Sequence, residues 1–242
     1  MPKTHRRAIV RRTFMGLAVL LVAWGCTDPD AAPPDPEEVP TVQVTQDGEA
    51  LEDDDGTILL RASGLPSEVE VAPGKRFGAG GTFRDARPSP DGTHLALTTT
   101  GVAHGTGWIV DLADGRAEAE PEAGTGSTAG SGAAAFAGPQ VVAFQYGGGV
   151  EVAGWAPGGD FVAFLLEPPS GSVLLRVVPV PPGTGTVEDR GFDVEVPGWE
   201  DHPPEERRVS DPRWEDGGLC FRFDDDRWCA DPSSGEVEHA PE

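Results

Sequence analysis

Residues 88–97 read PSPDGTHLAL, residues 155–164 read WAPGGDFVAF, and residues 214–223 read WEDGGLCFRF. Each segment begins with a turn rich in Pro, Asp or Gly and continues into a large-small-large triplet, which is Leu-Ala-Leu, Val-Ala-Phe or Leu-Cys-Phe. Because successive side chains of a strand point to opposite faces, the large residues of a triplet share one face and the small residue lies on the other. The three copies therefore predict a repeated β-structure whose sheets have two unequal faces.

The second half of the unit also repeats. Residues 107–115 read GWIVDLADG and residues 227–235 read RWCADPSSG, with the Trp, the Asp and the final Gly at identical spacing. These units resemble the WD-like β-propeller repeats of TolB-type periplasmic proteins. In that family a W-S-P-D-G turn leads into an aliphatic-Ala-Phe strand and then into a strand that ends in D-x-x-x-G. The resemblance implies propeller blades, although the anchors Asp91, Gly158 and Asp216 are spaced more widely than the 40–50 residues of an ordinary blade.

The rest of the chain favours short strands, because its apolar segments are bounded by Gly, Pro, Asp and Ser clusters. We predict strands at 42–45, 57–62, 68–71, 94–98, 108–112, 141–145, 150–154, 161–166, 172–180, 192–196, 219–223 and 227–230. We therefore expect an all-β domain over residues 42–240, built as a small or incomplete β-propeller of about four blades. A β-sandwich is the alternative. The small residues of segment 116–138 predict a flexible loop.

The N-terminal residues predict an export signal. A basic segment is followed by the apolar run MGLAVLLVAW at 15–24, which is shorter than the roughly 20 residues of a membrane-spanning helix. We therefore assign residues 1–25 to a signal peptide. Arg11 and Arg12, followed by Thr-Phe-Met, resemble a twin-arginine export motif, and the alternative is a chance arginine pair in a basic segment of the general secretory type.

The end of the apolar run resembles the lipobox of bacterial lipoproteins. Gly25 and Cys26 match that pattern, whereas Ala23 and Trp24 depart from it. The resemblance implies that Cys26 receives a lipid and becomes the new N-terminus, and ordinary signal cleavage nearby is the alternative. Residues 26–41 are rich in Pro and acidic side chains, so they predict an extended, disordered tether.

The charge balance excludes two classes of partner. The chain has 18 Lys and Arg against 41 Asp and Glu, a net charge of −23. Five basic residues lie in the first 12 positions, so the remainder has 13 basic and 41 acidic side chains, a net charge of −28. Nucleic-acid binding and docking on an anionic membrane surface both need clustered Lys and Arg. We expect no nucleic-acid partner, and membrane contact through the lipid anchor only.

Cys220 and Cys229 are placed to form a disulfide. If Asp224 and Asp225 form a two-residue hairpin loop, residues whose numbers sum to 449 face each other, and the two cysteines form a non-hydrogen-bonded pair. The Cα atoms of such a pair lie about 4.5 Å apart, within disulfide range. The alternative is that Cys220 is only the small, buried member of its triplet.

Recognisable catalytic and metal-binding motifs are absent from the sequence. It contains no H-E-x-x-H, C-x-x-C or G-x-S-x-G pattern, and the acidic run 52–56 lacks the calcium-loop spacing. We expect no cofactor, no metal and no enzymatic activity. Trp108, Trp155 and Trp228 occupy repeat positions and predict blade core. Trp199, with His202 beside it, is the better candidate for a binding site.

These features together predict an exported protein of the bacterial cell envelope with a non-catalytic binding or scaffolding role. It would be anchored on the outer face of the cytoplasmic membrane, in the periplasm or at the cell surface. Its partner would be another envelope protein, bound through the propeller loops. The alternative is a carbohydrate-binding protein or a hydrolase of the envelope.

Overall fold

The computed structural model describes residues 39, 41–112, 137–215 and 217–240. These residues form seventeen strands and four short 3-10 helices, with no α-helix among them. The 3-10 helices are Ala62–Gly64, Glu188–Arg190, Trp199–Asp201 and Pro204–Glu206. The prediction of an all-β protein is confirmed.

The strands form four antiparallel sheets, which we call blades 1 to 4, and one separate hairpin. Blade 1 contains β1 (Gln43–Val44), β2 (Ala50–Glu52) and β3 (Ile58–Arg61). The hairpin contains β4 (Glu68–Ala72) and β5 (Lys75–Gly78). Blade 2 contains β6 (Thr82–Pro88), β7 (His94–Thr100), β8 (His104–Asp111) and β9 (Ala137–Tyr146). Blade 3 contains β10 (Gly149–Trp155), β11 (Phe161–Glu167), β12 (Leu174–Pro179) and β13 (Phe192–Asp193). Blade 4 contains β14 (Ser210–Glu215), β15 (Gly218–Phe223), β16 (Asp226–Ala230) and β17 (Val237–His239).

Three hydrophobic cores lie between successive blades. The core between blades 1 and 2 includes Leu51, Leu95, Leu97 and Trp108. The core between blades 2 and 3 includes Ala96, Ile109, Val162 and Phe164. The core between blades 3 and 4 includes Ala163, Leu175, Leu219 and Phe221. In each triplet the large residues face the preceding blade, and in blades 2 and 3 the small residue faces the following one. This serial packing of up-and-down sheets is that of an incomplete propeller with about four blades.

The first strands of blades 2, 3 and 4 lie next to one another. The indole Nε1 of Trp155, at the end of β10, donates a hydrogen bond of 2.8 Å to the main-chain oxygen of Arg87 in β6. The indole Nε1 of Trp214 in β14 donates one of 3.0 Å to the oxygen of Gly154 in β10. Each of these tryptophans stands at the first position of its repeat, so the motif tryptophan links its own blade to the one before it.

The far face of blade 4 has no blade after it among the described residues, and this face is polar. It presents Arg213, Arg222 and Arg227 around the disulfide between Cys220 and Cys229. Terminal repeats of stacked proteins carry such a polar outer face because it does not need to be covered. This face of blade 4 is therefore suited to contact with solvent.

The hairpin between β15 and β16 has the predicted register. Cys220 pairs with Cys229 and Phe221 pairs with Trp228, and the cysteines form a disulfide. Asp224 and Asp225 have φ values of 51° and 65°, the left-handed conformation that a two-residue type I′ loop requires.

All twelve predicted strands lie on observed strands, although several bounds differ. The predicted flexible loop 116–138 overlaps the start of β9, so Ala137 and Gly138 belong to a strand, and the rest of that segment lies outside the described residues. The wide repeat spacing has two sources. Residues 112–136 separate β8 from β9 within blade 2, and residues 194–209 separate blades 3 and 4.

Candidate functional site

A groove of about 470 Å³ lies beside Trp199, on the segment that leads from blade 3 to blade 4. Its walls are Leu174 and the residues from Asp193 to Glu200. Val194 and Val196 are buried in the core between blades 3 and 4, whereas Asp193 and Glu195 alternate with them and are exposed. The extended backbone thus fixes the groove to the core through one face and presents carboxylates on the other.

The indole of Trp199 has two roles in this segment. It is half-buried and packs against the core between blades 3 and 4, with its ring centroid 4.9 Å from that of Phe223. Its remaining surface lines the groove. Gly198 precedes it with a φ of 82°, a left-handed conformation that turns the chain into the 3-10 helix Trp199–Asp201.

His202 and Trp199 contact the same aromatic ring. The imidazole of His202 meets Phe223 edge to face at 5.1 Å between centroids. Arg207 holds this loop closed, because its Nε donates to the oxygen of His202 at 2.7 Å and its Nη2 donates to the oxygen of Glu200 at 3.2 Å. The sequence placed Trp199 and His202 together, but nothing in it indicated that Phe223 would join them.

The carboxylates of the groove are not equivalent. Asp193 accepts a hydrogen bond of 2.7 Å from Nη1 of Arg176, whose side chain is buried. Glu195 and Glu200 are exposed, and they form no ion pair with another described residue. The groove can therefore offer an aromatic face beside two free carboxylates, a combination that suits a cation or a hydroxylated ligand. Sequence reasoning singled out neither carboxylate. The alternation of Val194 and Val196 with acidic residues could have indicated Glu195, and Glu200 follows Trp199 directly in the sequence.

The other predicted residues have the following positions. Trp108 is fully buried, and Trp155 and Trp228 pack partly buried against blade cores, as predicted. Arg11, Arg12 and Cys26 lie outside the described residues. The described part of the chain has no helix with the length and apolar character of a bilayer-spanning segment.

The acidic turn at 52–56 is stabilised by hydrogen bonds to one of its own carboxylates. Oδ1 of Asp53 accepts hydrogen bonds from the main-chain nitrogens of Asp55 at 3.0 Å and Thr57 at 2.8 Å. The carboxylate thus stabilises its own turn. No group of three or more His, Cys, Asp or Glu side chains within the described ranges is arranged to hold a metal ion.

Comparison with known proteins does not assign the chain to a family. No protein-family model matches the chain, and no curated protein matches it. Among solved structures, the crystal structure of TolB from Acinetobacter baumannii is similar over 83% of this chain and 51% of that one, at 12% sequence identity and a TM-score of 0.35. This chain therefore spans about half the length of that protein.

Proposed function

We propose that this chain is an exported, lipid-anchored protein of the cell envelope that binds a protein partner without catalysing a reaction. The observation that carries the proposal is the groove beside Trp199, where a half-buried indole adjoins the free carboxylates of Glu195 and Glu200. An aromatic face flanked by carboxylates attracts Lys or Arg side chains through cation–π and ion-pair contacts. The bound partner is therefore a protein segment with exposed basic residues.

Export and lipid attachment are a separate part of the proposal and are tested separately. The full-length protein and a Cys26→Ser variant are expressed in a bacterial host and labelled metabolically with an alkyne fatty acid. Label in the wild type and none in the variant is the expected result. Equal labelling of both proteins, or no labelling of either, contradicts the lipid anchor. Lys in place of both Arg11 and Arg12 stops export if the route is twin-arginine and leaves it unchanged if the route is the general one.

Binding at the groove is tested by titrating the full-length protein with a lysine-rich peptide and following tryptophan fluorescence. Saturable quenching that disappears in Trp199→Phe and weakens about tenfold in Glu195→Gln with Glu200→Gln is expected. Glu236→Gln with Glu238→Gln is the matched control for loss of two surface carboxylates, because both residues are exposed and lie outside the groove. Quenching that survives in Trp199→Phe refutes the assignment of the groove.

The second candidate is a carbohydrate-binding protein or hydrolase of the envelope. The half-buried indole of Trp199 favours it, because sugars stack on such rings and hydrogen-bond to neighbouring carboxylates. An oligosaccharide that changes Trp199 fluorescence, where the lysine-rich peptide does not, selects this candidate over the first. Hydrolysis of that oligosaccharide separates the enzyme from the binding protein.

A further inference from the structure

A second cavity lies between blades 2 and 3, apart from the groove beside Trp199. Its volume is about 520 Å³, which is within the range of small-ligand sites. The strands β6 and β7 of blade 2 form one wall, and β10 with the end of β11 forms the other. The residues that matter for its chemistry are Arg84, Thr98, Glu151 and Glu167.

Thr98 is the first sign that the cavity is built for a polar ligand. The residue is 1% exposed, lines the cavity, and its Oγ1 has no hydrogen-bond partner among the described residues. An unsatisfied buried hydroxyl is costly, so such groups usually have a partner. In the next blade the corresponding position, two residues after the small member of the triplet, is Leu165, which packs against the neighbouring core. Blade 2 thus has a hydroxyl where blade 3 has an apolar side chain.

Arg84 is the second feature that indicates a polar ligand in this cavity. The register of β6 against β7 shifts between Phe83 and Asp85, so Arg84 is the extra residue of a β-bulge. Bulges redirect a side chain, and they are common beside functional sites. Arg84 is exposed at the cavity and pairs with no described acidic residue. Arg87 and Asp85 also line the cavity, but they form an ion pair of 3.0 Å with each other. The free guanidinium of Arg84 can therefore receive a ligand carboxylate in a bidentate manner.

The opposite wall carries two carboxylates. Glu151 of β10 and Glu167 of β11 are exposed at the cavity and form no ion pair with another described residue. The main chain of Gly148 and Gly149 completes this wall, and the lining contains no aromatic ring. A sugar site normally offers a ring face, so this lining favours a charged ligand over a sugar.

We propose that this cavity binds a zwitterionic ligand of the short-peptide class. Its free carboxylate pairs with Arg84, its free ammonium group pairs with Glu151 and Glu167, and a polar group of its backbone bonds to the hydroxyl of Thr98. This proposal is independent of the groove beside Trp199, because the two cavities share no residue.

Trialanine is the probe for the test, titrated calorimetrically into the full-length protein in a mild detergent. N-acetyl-trialanine, which lacks the ammonium group, and trialanine amide, which lacks the carboxylate, are titrated in parallel. We expect trialanine to bind with a Kd below about 1 mM and each blocked peptide to bind about tenfold more weakly. Arg84→Ala should bind trialanine and its amide equally, and Glu151→Gln with Glu167→Gln should bind trialanine and its N-acetyl form equally.

Thr98→Val and Thr106→Val form a matched pair of variants. Thr106 is also fully buried with an unpartnered hydroxyl, but it pairs with Thr99, on the face of blade 2 opposite to Thr98. Thr98→Val should weaken trialanine binding about fivefold, the loss of one hydrogen bond, and Thr106→Val should leave it within about twofold. Three results would overturn the proposal. They are the absence of saturable heat from any peptide up to about 10 mM, equal binding of free and blocked peptides, and equal effects of the two valine substitutions on binding.

Discussion

The indole nitrogen of Trp214 lies 3.0 Å from the main-chain oxygen of Gly154 and donates a hydrogen bond to it, which joins the first strand of blade 4 to the first strand of blade 3. Trp155 makes the equivalent bond one blade earlier, to Arg87. The tryptophan that opens the repeat is therefore a connector between blades as well as an apolar side chain. Pro88 occupies this position in blade 2 and has no donor to offer.

This connection gives the first prediction. Trp214→Phe keeps an aromatic ring but removes the donor, so the free energy of unfolding should fall by about 1–2 kcal/mol. Urea unfolding followed by circular dichroism measures the change. Trp199→Phe is the control, because the indole nitrogen of Trp199 has no hydrogen-bond partner within the described ranges. Equal destabilisation by the two variants would show that the hydrogen bond contributes nothing.

The second prediction concerns the disulfide between Cys220 and Cys229. The two residues are nine positions apart, so the bond closes a short loop, and its loss should lower the free energy of unfolding by about 2–3 kcal/mol. Cys220→Ala with Cys229→Ala tests this by urea unfolding. Peptide mapping without reductant should recover the two cysteines in one linked pair. Alkylation of both cysteines in the unreduced protein would contradict the bond.

The third prediction concerns the stability of the folded protein at low pH. The hydroxyl of Ser89 donates a hydrogen bond of 2.5 Å to Asp91, and the main-chain nitrogen of Thr93 donates a second, which together lower the pKa of Asp91 below its usual 3.8. A lowered pKa in the folded state means that the ionised carboxylate stabilises the fold above about pH 3.8, and that this stability is lost as the pH falls through the folded-state value.

Thermal unfolding between pH 5 and pH 2.5 checks this effect with the variant Asp91→Asn. The variant should lose less stability than the wild type as the pH falls, because its amide does not titrate. Asp47, Asp189 and Asp231 also have lowered pKa values, through hydrogen bonds in their own turns, so part of the acid sensitivity should remain. Parallel curves for wild type and variant would refute the role of Asp91.

The fourth prediction concerns the hydroxyl of Thr106, which like that of Thr98 is buried without a partner among the described residues. Thr106 is fully buried and its Oγ1 has no hydrogen-bond partner among the described residues. Valine has nearly the same shape without the polar atom, so Thr106→Val should raise the free energy of unfolding by about 1 kcal/mol. Thr106→Ser, which keeps the hydroxyl and loses the methyl group, should lower it. A valine variant less stable than the wild type would show that the hydroxyl has a partner, such as a buried water.

The fold was predictable where a local pattern carries the information. The pairing of Cys220 with Cys229 follows from the turn at Asp224 and Asp225, because a two-residue loop sets the register of both strands. The faces of the triplets follow from strand alternation. The first strands β6 and β14 were not predicted, because they are partly polar and contain Arg, Asp and Pro. They are edge strands of their blades, where one row of main-chain N–H and C=O groups is unpaired and Pro and charged side chains are tolerated.

The candidate sites were less predictable than the fold. Trp199 was identifiable as a tryptophan in a loop, but its packing on Phe223 joins residues from two blades and depends on the stacking of the sheets. The cavity beside Thr98 depends on contact between β7 and β10, which no local pattern indicates. The bulge at Arg84 is likewise visible only in the pairing of β6 with β7.

Photo-crosslinking in native envelopes tests whether the groove beside Trp199 binds a basic protein segment. A photoreactive phenylalanine derivative replaces Pro197, which is exposed in the groove, and in a matched control it replaces Ile58, which is exposed on blade 1. We expect one protein adduct from position 197, which is absent from position 58 and strongly reduced by Glu195→Gln with Glu200→Gln. A glycan adduct, no adduct, or the same adducts from both positions would contradict the proposal.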